Sequence, residues 1–248
     1  MSDTIQTSGR IAEGTLLEVT DLTTHFRTER GLVRAVDGVT FDLERGKSLG
    51  VVGESGSGKT VLSRTIMGLL PSTAVLGGSV KFAGQEILGL DESQMRHLWG
   101  REMSMVFQNP MVSLNPLMKV GNQIGETLKI HLGMDKQNAR ETALALLRDV
   151  RIPEPDKRLD QYPHELSGGM RQRVGLARAL AVDADVLMMD EPFSAVDEQT
   201  RRKFQEDLIR LREIESKTFI LVTHSIEEAV YLSDRIVMLS PRPGRLSR

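Results

Sequence analysis

The sequence predicts an α/β fold: a mostly parallel sheet, a small antiparallel sheet beside it, and a helical subdomain inserted between the strands. Three observations carry this. Ser48-Leu49-Gly50-Val51-Val52 is a short apolar strand that runs through a glycine-rich turn into a helix expected from Lys59 to Leu70 and stopped by Pro71. From Asp185 onward, short apolar strands alternate with helices, the signature of parallel βαβ units. Between Asp91 and Val182 the pattern is mostly helical, punctuated by Pro110, Pro116, Pro153, Pro155 and Pro163.

The remaining elements follow in order. Met1 to Thr15 is polar, lacks the basic and apolar segments of a secretory signal, and is expected to be a flexible tail over 1–15. Leu16-Leu17-Glu18-Val19 opens a strand. Val33 to Leu43 is expected to hold two more, separated by a turn at Asp37-Gly38, and Leu76 to Gly84 a further turn and strand. Glu141 to Val150 carries Ala143, Leu144, Leu146 and Leu147 as an amphipathic helical stripe.

With 248 residues and 40% hydrophobic content, the chain can bury a substantial core, as one large domain or two lobes. A formal charge of -2 with both signs interspersed gives no electrostatic reason to expect nucleic acid or anionic lipid as a partner. The absence of cysteine excludes disulfides, thiolate metal sites and cysteine catalysis, and suits a reducing compartment. No apolar run approaches the roughly 18 residues of a membrane span, so any membrane role is expected through a partner.

Gly53-Glu54-Ser55-Gly56-Ser57-Gly58-Lys59-Thr60 satisfies G-x-x-x-x-G-K-[ST], the phosphate-cradling P-loop, in full. Its glycines let the backbone wrap an anion, and its N–H groups and the positive end of the following helix face the phosphates. Lys59 supplies a positive charge to the β- and γ-phosphates, and the Thr60 hydroxyl is placed to ligate Mg²⁺. The motif implies a nucleotide triphosphate site.

Asp185-Val186-Leu187-Met188-Met189-Asp190-Glu191 describes a buried strand delivering two acids to its carboxyl end, where open α/β sheets bind ligands. Strand alternation sends the acids to opposite sides. Asp190 is the expected metal-side acid, and Glu191 the base or water-positioner. A third stretch, Leu166-Ser167-Gly168-Gly169-Met170-Arg171-Gln172-Arg173, places an N-cap serine and two glycines at a second helix start, with Met170, Val174, Ala177 and Ala181 at helical spacing behind it.

Together these stretches resemble the ATP-binding cassette (ABC) ATPases, from about Leu16 to Arg245. Leu166-Ser167-Gly168-Gly169 is similar to that family's signature motif, with Met170 where glutamine is more usual. Val106-Phe107-Gln108-Asn109-Pro110 resembles the Q-loop, Ser194-Ala195-Val196-Asp197 the D-loop, and His224 stands where the family's switch histidine sits. The resemblance implies a P-loop NTPase (RecA-like) core and an antiparallel β-subdomain over about 16–107 and 183–240, with a helical subdomain over about 108–182. It also implies a head-to-tail dimer, of two copies or of one copy with a homologous ATPase. Each ATP with its Mg²⁺ would lie between the P-loop of one subunit and the signature loop (Ser167, Gly168, Gly169) of the other. In that dimer Gln108 would sense Mg²⁺ and γ-phosphate, His224 would contact the γ-phosphate or attacking water, and Asp197 would cross the interface. Phe26 falls where an aromatic stacks on adenine.

Phe107 to Pro116 and Val33 to Val39 resemble the oligopeptide, dipeptide and nickel importers. Asp190 to Asp197 and Met238 to Arg245 are more similar to the nitrate, sulfonate and taurine importers, and the chain stops at Arg248 without the longer extension common in the peptide group. The expected function is that of an importer's ATP-hydrolysing subunit. It would sit peripherally on the cytoplasmic side of the inner membrane, driving a separate permease and served indirectly by a solute-binding protein. Met111, Val112, Leu114, Leu117 and Met118 are candidates for a permease-docking surface, about half of them expected to pack the helical lobe instead. The alternatives are a soluble ATPase of the same family in DNA repair or translation, and an unrelated P-loop kinase or GTPase switch. The last leaves the second glycine-rich helix start and His224 unexplained.

Overall fold

Nine strands and eight α-helices are described in a computed structural model covering residues 14–29, 31–109, 113–194, 196–215 and 217–246. The tail expected over 1–15 therefore lies almost wholly outside the described residues, as do Pro110, Met111 and Val112. The first half holds β1 (Thr15–Thr28), β2 (Gly31–Glu44), β3 (Ser48–Gly53), α1 (Lys59–Ile66), β4 (Ala74–Phe82), β5 (Gln85–Glu86), α2 (Glu92–Leu98) and β6 (Met103–Val106). The helical stretch has α3 (Val120–Leu132), α4 (Lys136–Asp149), α5 (Pro155–Arg158) and α6 (Gly168–Leu180). The chain closes with β7 (Val186–Asp190), α7 (Glu198–Glu215), β8 (Thr218–Thr223), α8 (Ile226–Leu232) and β9 (Arg235–Leu239).

One sheet is antiparallel, in the order β2-β1-β4-β5, and the other is parallel, in the order β6-β7-β8-β3-β9. The parallel strands are apolar on both faces because each face has a core. Val186 and Met188 of β7 and Ile220 and Val222 of β8 join the core shared with the antiparallel sheet and α1. Leu187, Met189, Phe219 and Leu221 face the other way, into the core of α3, α4, α6 and α7. This period-2 division follows from strand alternation, and the parallel pairing of β7, β8 and β3 places their carboxyl ends side by side.

Several local expectations are corrected. Helix α1 ends at Ile66 with Met67 as its C-cap, because Gly68 adopts a left-handed conformation (φ +64) two residues before Leu70, so Pro71 does not stop it. Val33 to Leu43 lies in the single strand β2; Asp37-Gly38 is a bulge in it, where register with β1 shifts and Gly38 takes φ +78. Gly77-Gly78 likewise lies inside β4, where a Cβ on Gly78 would stand 2.4 Å from the Asp21 carbonyl oxygen across a second bulge. Strand β6, within the stretch read as mostly helical, extends the parallel sheet beyond β7. Leu114, expected on a docking surface, is buried in the helical core; Leu117 is exposed and Met118 half-buried, while Met111 and Val112 lie outside the described residues.

The helical stripes pack as spaced. Ala143 and Leu147 of α4 are fully buried, with Leu144 and Leu146 packed partly against the same core. Val174 and Ala177 on α6 are fully buried, Ala181 at its end is nearly so, and Met170 is partly buried.

Candidate functional site

The site begins where β3 runs out. Gly53-Glu54-Ser55-Gly56-Ser57-Gly58 forms the loop from β3 into α1, with Gly56 and Gly58 at φ +83 and +94, backbone angles that glycine adopts without strain. A Cβ on Gly58 would stand 2.3 Å from the Ala35 carbonyl oxygen, and one on Gly53 2.6 Å from Ser57 Oγ. Glu54 and Ser55 are exposed at the rim, whereas Ser57 is buried and its Oγ has no hydrogen-bond partner. Lys59 folds back across the loop, its Nζ donating to the carbonyls of Gly53 at 2.7 Å and Glu54 at 2.9 Å. Burial lowers the Lys59 pKa, opposed by the nearby carboxylates of Glu191 and Asp190. The loop thus offers a buried cation and an unpartnered hydroxyl in a cradle that side chains would fill, which fits a phosphate chain.

Beside it, Thr60 Oγ1 donates to Asp190 Oδ1 at 3.1 Å, joining the start of α1 to the end of β7. Asp190 is almost fully buried, and burial raises its pKa, with the neighbouring Glu191 charge adding to the rise and the Thr60 bond opposing it. A hydroxyl and a buried carboxylate whose charge is disfavoured in the protein alone form a hard, all-oxygen donor pair that fits Mg²⁺. Among the described residues no cluster of three or more His, Cys, Asp or Glu could hold a metal, and such an ion would take its remaining ligands from phosphates and water.

Glu191 leaves the strand with φ +45, uncommon for a non-glycine residue, and its N–H donates to Val222 O at 2.8 Å. That turn carries its carboxylate away from Asp190 and toward two other residues. Gln108 Nε2, two residues past the end of β6, donates to Glu191 Oε2 at 2.8 Å. His224 Nδ1, just past the end of β8, is 3.5 Å from the same oxygen. Three strand ends of the parallel sheet therefore converge on one carboxylate.

The residues that hold His224 were not singled out from sequence. Thr223 Oγ1 donates to Glu228 Oε2 and accepts from Ser225 N at 3.0 Å, and Ser225 Oγ caps α8 by accepting from Glu228 N at 3.2 Å. Arg201 of α7 lies 3.9 Å from the other Glu228 oxygen. The signal was present: Ser225-Ile226-Glu227-Glu228 fits the S-x-x-E capping pattern.

Ser167 Oγ caps α6 by accepting from Met170 N at 3.3 Å, and Asp197 Oδ1 caps α7 by accepting from Thr200 N at 3.0 Å. That backbone bond, first among several to its carboxylate, lowers the Asp197 pKa. A Cβ on Gly169 would stand 3.2 Å from Thr200 Cγ2, so Ser167, Gly168 and Gly169 sit close to the α7 start. Helix α6 packs on β6, α3 and α4, whereas α1 packs on β1, β2, β3, β7 and β8. The expected site residues thus fall into two groups. Gly53 to Thr60, Asp190, Glu191, Gln108 and His224 are gathered at the strand ends, and Ser167 to Gly169 with Asp197 belong to the helical side. Phe26, on β1 opposite Val33 and Ala74, is half-exposed.

A parallel sheet that delivers a glycine-rich phosphate loop and an acidic strand end, with antiparallel and helical subdomains attached, defines a P-loop NTPase. A family model described as ABC transporter matches residues 36–194, and the chain belongs to that family. It is 43% identical over 226 residues to the oligopeptide transport ATP-binding protein OppD of Bacillus subtilis, covering 90% of this chain and 63% of that protein. The identity is also 43% to the dipeptide transport ATP-binding protein DppD of the same organism, over 90% of this chain and 68% of that one. The chain therefore spans about two thirds of the length of these relatives. Among solved structures it is similar to the dimeric bacterial ABC transporter cassette MJ0796, with 27% identity, a TM-score of 0.84, and coverage of 94% and 97% of the two chains. A dimeric post-hydrolysis state of the same cassette bound to ADP and Pi is similar at 26% identity and a TM-score of 0.83.

Proposed function

We propose that this chain is the ATP-binding and ATP-hydrolysing subunit of an importer. It would work on the cytoplasmic side of the membrane as a peripheral partner of a separate permease, with a peptide as the transported solute and a solute-binding protein acting upstream. The observation that carries the reading is the division of the site. One group of residues at the strand ends can bind a triphosphate and position a water, while a second anion-binding helix start, at Ser167, belongs to the helical side. A head-to-tail pair of copies, or of this chain with a homologous ATPase, gives the second group its use, and the dimeric state of the MJ0796 cassette supports it.

In this reading the P-loop and Lys59 bind the β- and γ-phosphates, and Phe26 stacks on adenine. Thr60, Asp190 and Gln108 would hold Mg²⁺, which when bound neutralises phosphate charge. Glu191, oriented by Gln108, accepts a proton from the attacking water, and His224 donates a hydrogen bond toward the γ-phosphate. Ser167, Gly168, Gly169 and Asp197 act on the partner's nucleotide. The working division is a core and β-subdomain over 16–107 and 183–240 and a helical subdomain over 108–182. Met67, Trp99, Met105, Phe107 and Arg178 line a cleft of about 230 Å³ between α1, α2 and α6, suited to a short permease helix. No described helix is long and apolar enough to cross a membrane, so docking of that kind is the route to one.

The test is Glu191→Gln with ATP and Mg²⁺, read by light scattering. A stable dimer holding two unhydrolysed ATP per pair is expected; monomers alone under those conditions would sink the reading. Copurification with a polytopic membrane protein separates it from a soluble ATPase of the same family.

A further inference from the structure

Past β9 the chain folds back over the phosphate loop. Ser240 N donates to Arg245 O at 2.8 Å, Ser240 Oγ accepts from Arg245 N at 3.2 Å, and Leu239 and Leu246 form an antiparallel bridge, closing residues 240–245 into a tight turn. The turn's inner edge is Gly244, which is buried. Its N–H donates to Ala35 O at 3.1 Å, and its carbonyl accepts from Asp37 N at 3.0 Å, so it pairs with β2 as an extra rung. The Arg245 guanidinium fixes the turn from outside, with Nε at 3.1 Å and Nη2 at 2.5 Å from Asp37 Oδ2.

This turn grips the P-loop at Ser57. A Cβ on Gly244 would stand 2.2 Å from the Ser57 carbonyl oxygen, and the Ala35 carbonyl that Gly244 bonds is the one a Cβ on Gly58 would strike. The Leu239 carbonyl oxygen lies 2.8 Å from where a Cβ on Gly53 would be. Gly53, Gly58 and Gly244 thus share one role: they let the main chain around Ser57 be held between β2 and the returning turn. Gly244 does not carry a left-handed φ, so an alanine there meets a steric obstacle and no torsional one.

We propose that residues 240–245 form a strap that sets the shape of the phosphate loop, with Gly244 and Arg245 as positioning residues for triphosphate binding. The proposal rests on the nucleotide reading given above. A backbone oxygen cannot rotate aside as a side chain can, so an added methyl must push the Ser57 peptide, and with it the N–H groups meant for phosphate.

The test uses the full chain and its Gly244→Ala, Arg245→Gln and Arg245→Lys variants, titrated with ATP and with adenosine, beside thermal unfolding without nucleotide. Overpacking against backbone is expected to weaken ATP binding about tenfold or more in Gly244→Ala. Arg245→Gln, which frees the turn without touching the loop, should weaken it several-fold, and Arg245→Lys should recover most of that loss. Adenosine affinity should stay unchanged throughout. A strap that only stabilises the fold would lower the Tm of the variants yet leave their ATP affinity at the wild-type value, and that result overturns the proposal. If Gly244→Ala does not fold, unchanged ATP affinity in Arg245→Gln overturns it alone. A wild-type chain that fails to bind ATP at all would instead sink the nucleotide reading, and the strap's role with it.

Discussion

Gln108 Nε2 lies 2.8 Å from Glu191 Oε2, and this bond ties the segment after the edge strand β6 to the carboxylate beside the phosphate loop. The carboxylate is held from its other side by a left-handed backbone, φ +45, of a kind that costs roughly 1–3 kcal/mol and persists only where surrounding structure enforces it. Here the enforcing contacts are the Glu191 N–H to Val222 O and the bonds from Ser194 N and Oγ to the Glu191 carbonyl.

Removing the orienting amide should therefore cost turnover rather than binding. Gln108→Ala is expected to lower kcat by up to roughly 10²-fold through misplacement of the carboxylate. Glu191→Gln, which removes the proton acceptor itself, should lower it by roughly 10²–10⁴-fold. In both, the dissociation constant for ATP without Mg²⁺ should stay near the wild-type value. Phosphate-release kinetics and nucleotide titration decide the matter; a Gln108→Ala variant with unaltered kcat would remove Gln108 from the site.

Phe26 makes a different kind of contribution. It is half-exposed on β1, two residues from the buried Thr24, whose hydroxyl hydrogen-bonds Thr65 of α1 at 2.8 Å. Its strand is thereby fixed against the helix that carries Lys59. Base–aromatic stacking is worth roughly 1–3 kcal/mol by alanine substitution, and every base has a π-face. Phe26→Ala should weaken ATP binding by that amount while hardly changing the ratio of ATP to GTP affinity. Equal ATP affinity in variant and wild type would rule the stacking role out.

Much of this site was legible because its chemistry is local. The P-loop, the two acids ending β7 and the Ser167 cap are each read within eight residues, and the structure builds each of them at a strand end or helix start. What sequence did not reveal is relational. Gly38 and Gly78 read as turns because a bulge and a turn use the same left-handed residue; only pairing with β1 distinguishes them. Strand β6 is four residues long, too short for alternation to register. Gly244 and Arg245 were noticed only as a resemblance, since nothing in their own stretch predicts contact with Ser57 or Asp37. Arg173 passed as an ordinary helix residue although it is buried against an acid 34 positions away.

That pair links the two helices that carry the second group of site residues. Arg173 Nη1 donates to Asp207 Oδ2 at 2.7 Å and to Val150 O at 2.6 Å, and its guanidinium lies 5.2 Å from the Phe204 ring centroid. Arg151 Nε is 2.9 Å from the second Asp207 oxygen. The signature helix α6 is thus bolted to α7, whose start holds Asp197. Removing one partner of a buried ion pair strands the other charge, so Asp207→Ala should destabilise the protein by about 3–5 kcal/mol. Adding Arg173→Met to it should cost less than the sum of the single changes, because the stranded charge is then gone. Urea unfolding of the two singles and the double measures this, and strict additivity would mean the pair carries no coupling.

Asp190 should behave in the opposite sense, since its carboxylate is a burden on the protein without nucleotide. Its pKa is raised above the ordinary 3.8, first by burial and then by the charge of Glu191, so folding favours its protonated form. The unfolded chain ionises this group at lower pH than the folded one. The penalty is therefore absent below the unfolded pKa, and it grows as pH rises through the folded pKa. Asp190→Asn keeps an acceptor for Thr60 Oγ1 and removes the charge. The variant should unfold at a higher temperature than wild type near neutral pH without nucleotide, with the gap closing toward about pH 4, where Asp190 of the unfolded chain is also becoming protonated. Adding ATP with Mg²⁺ should reverse the order, because only the wild-type carboxylate offers a negative ligand to the cation. Thermal scans across pH, with and without Mg²⁺ and ATP, test both halves. A variant less stable than wild type at neutral pH without nucleotide would show that Asp190 is needed by the fold rather than by the site.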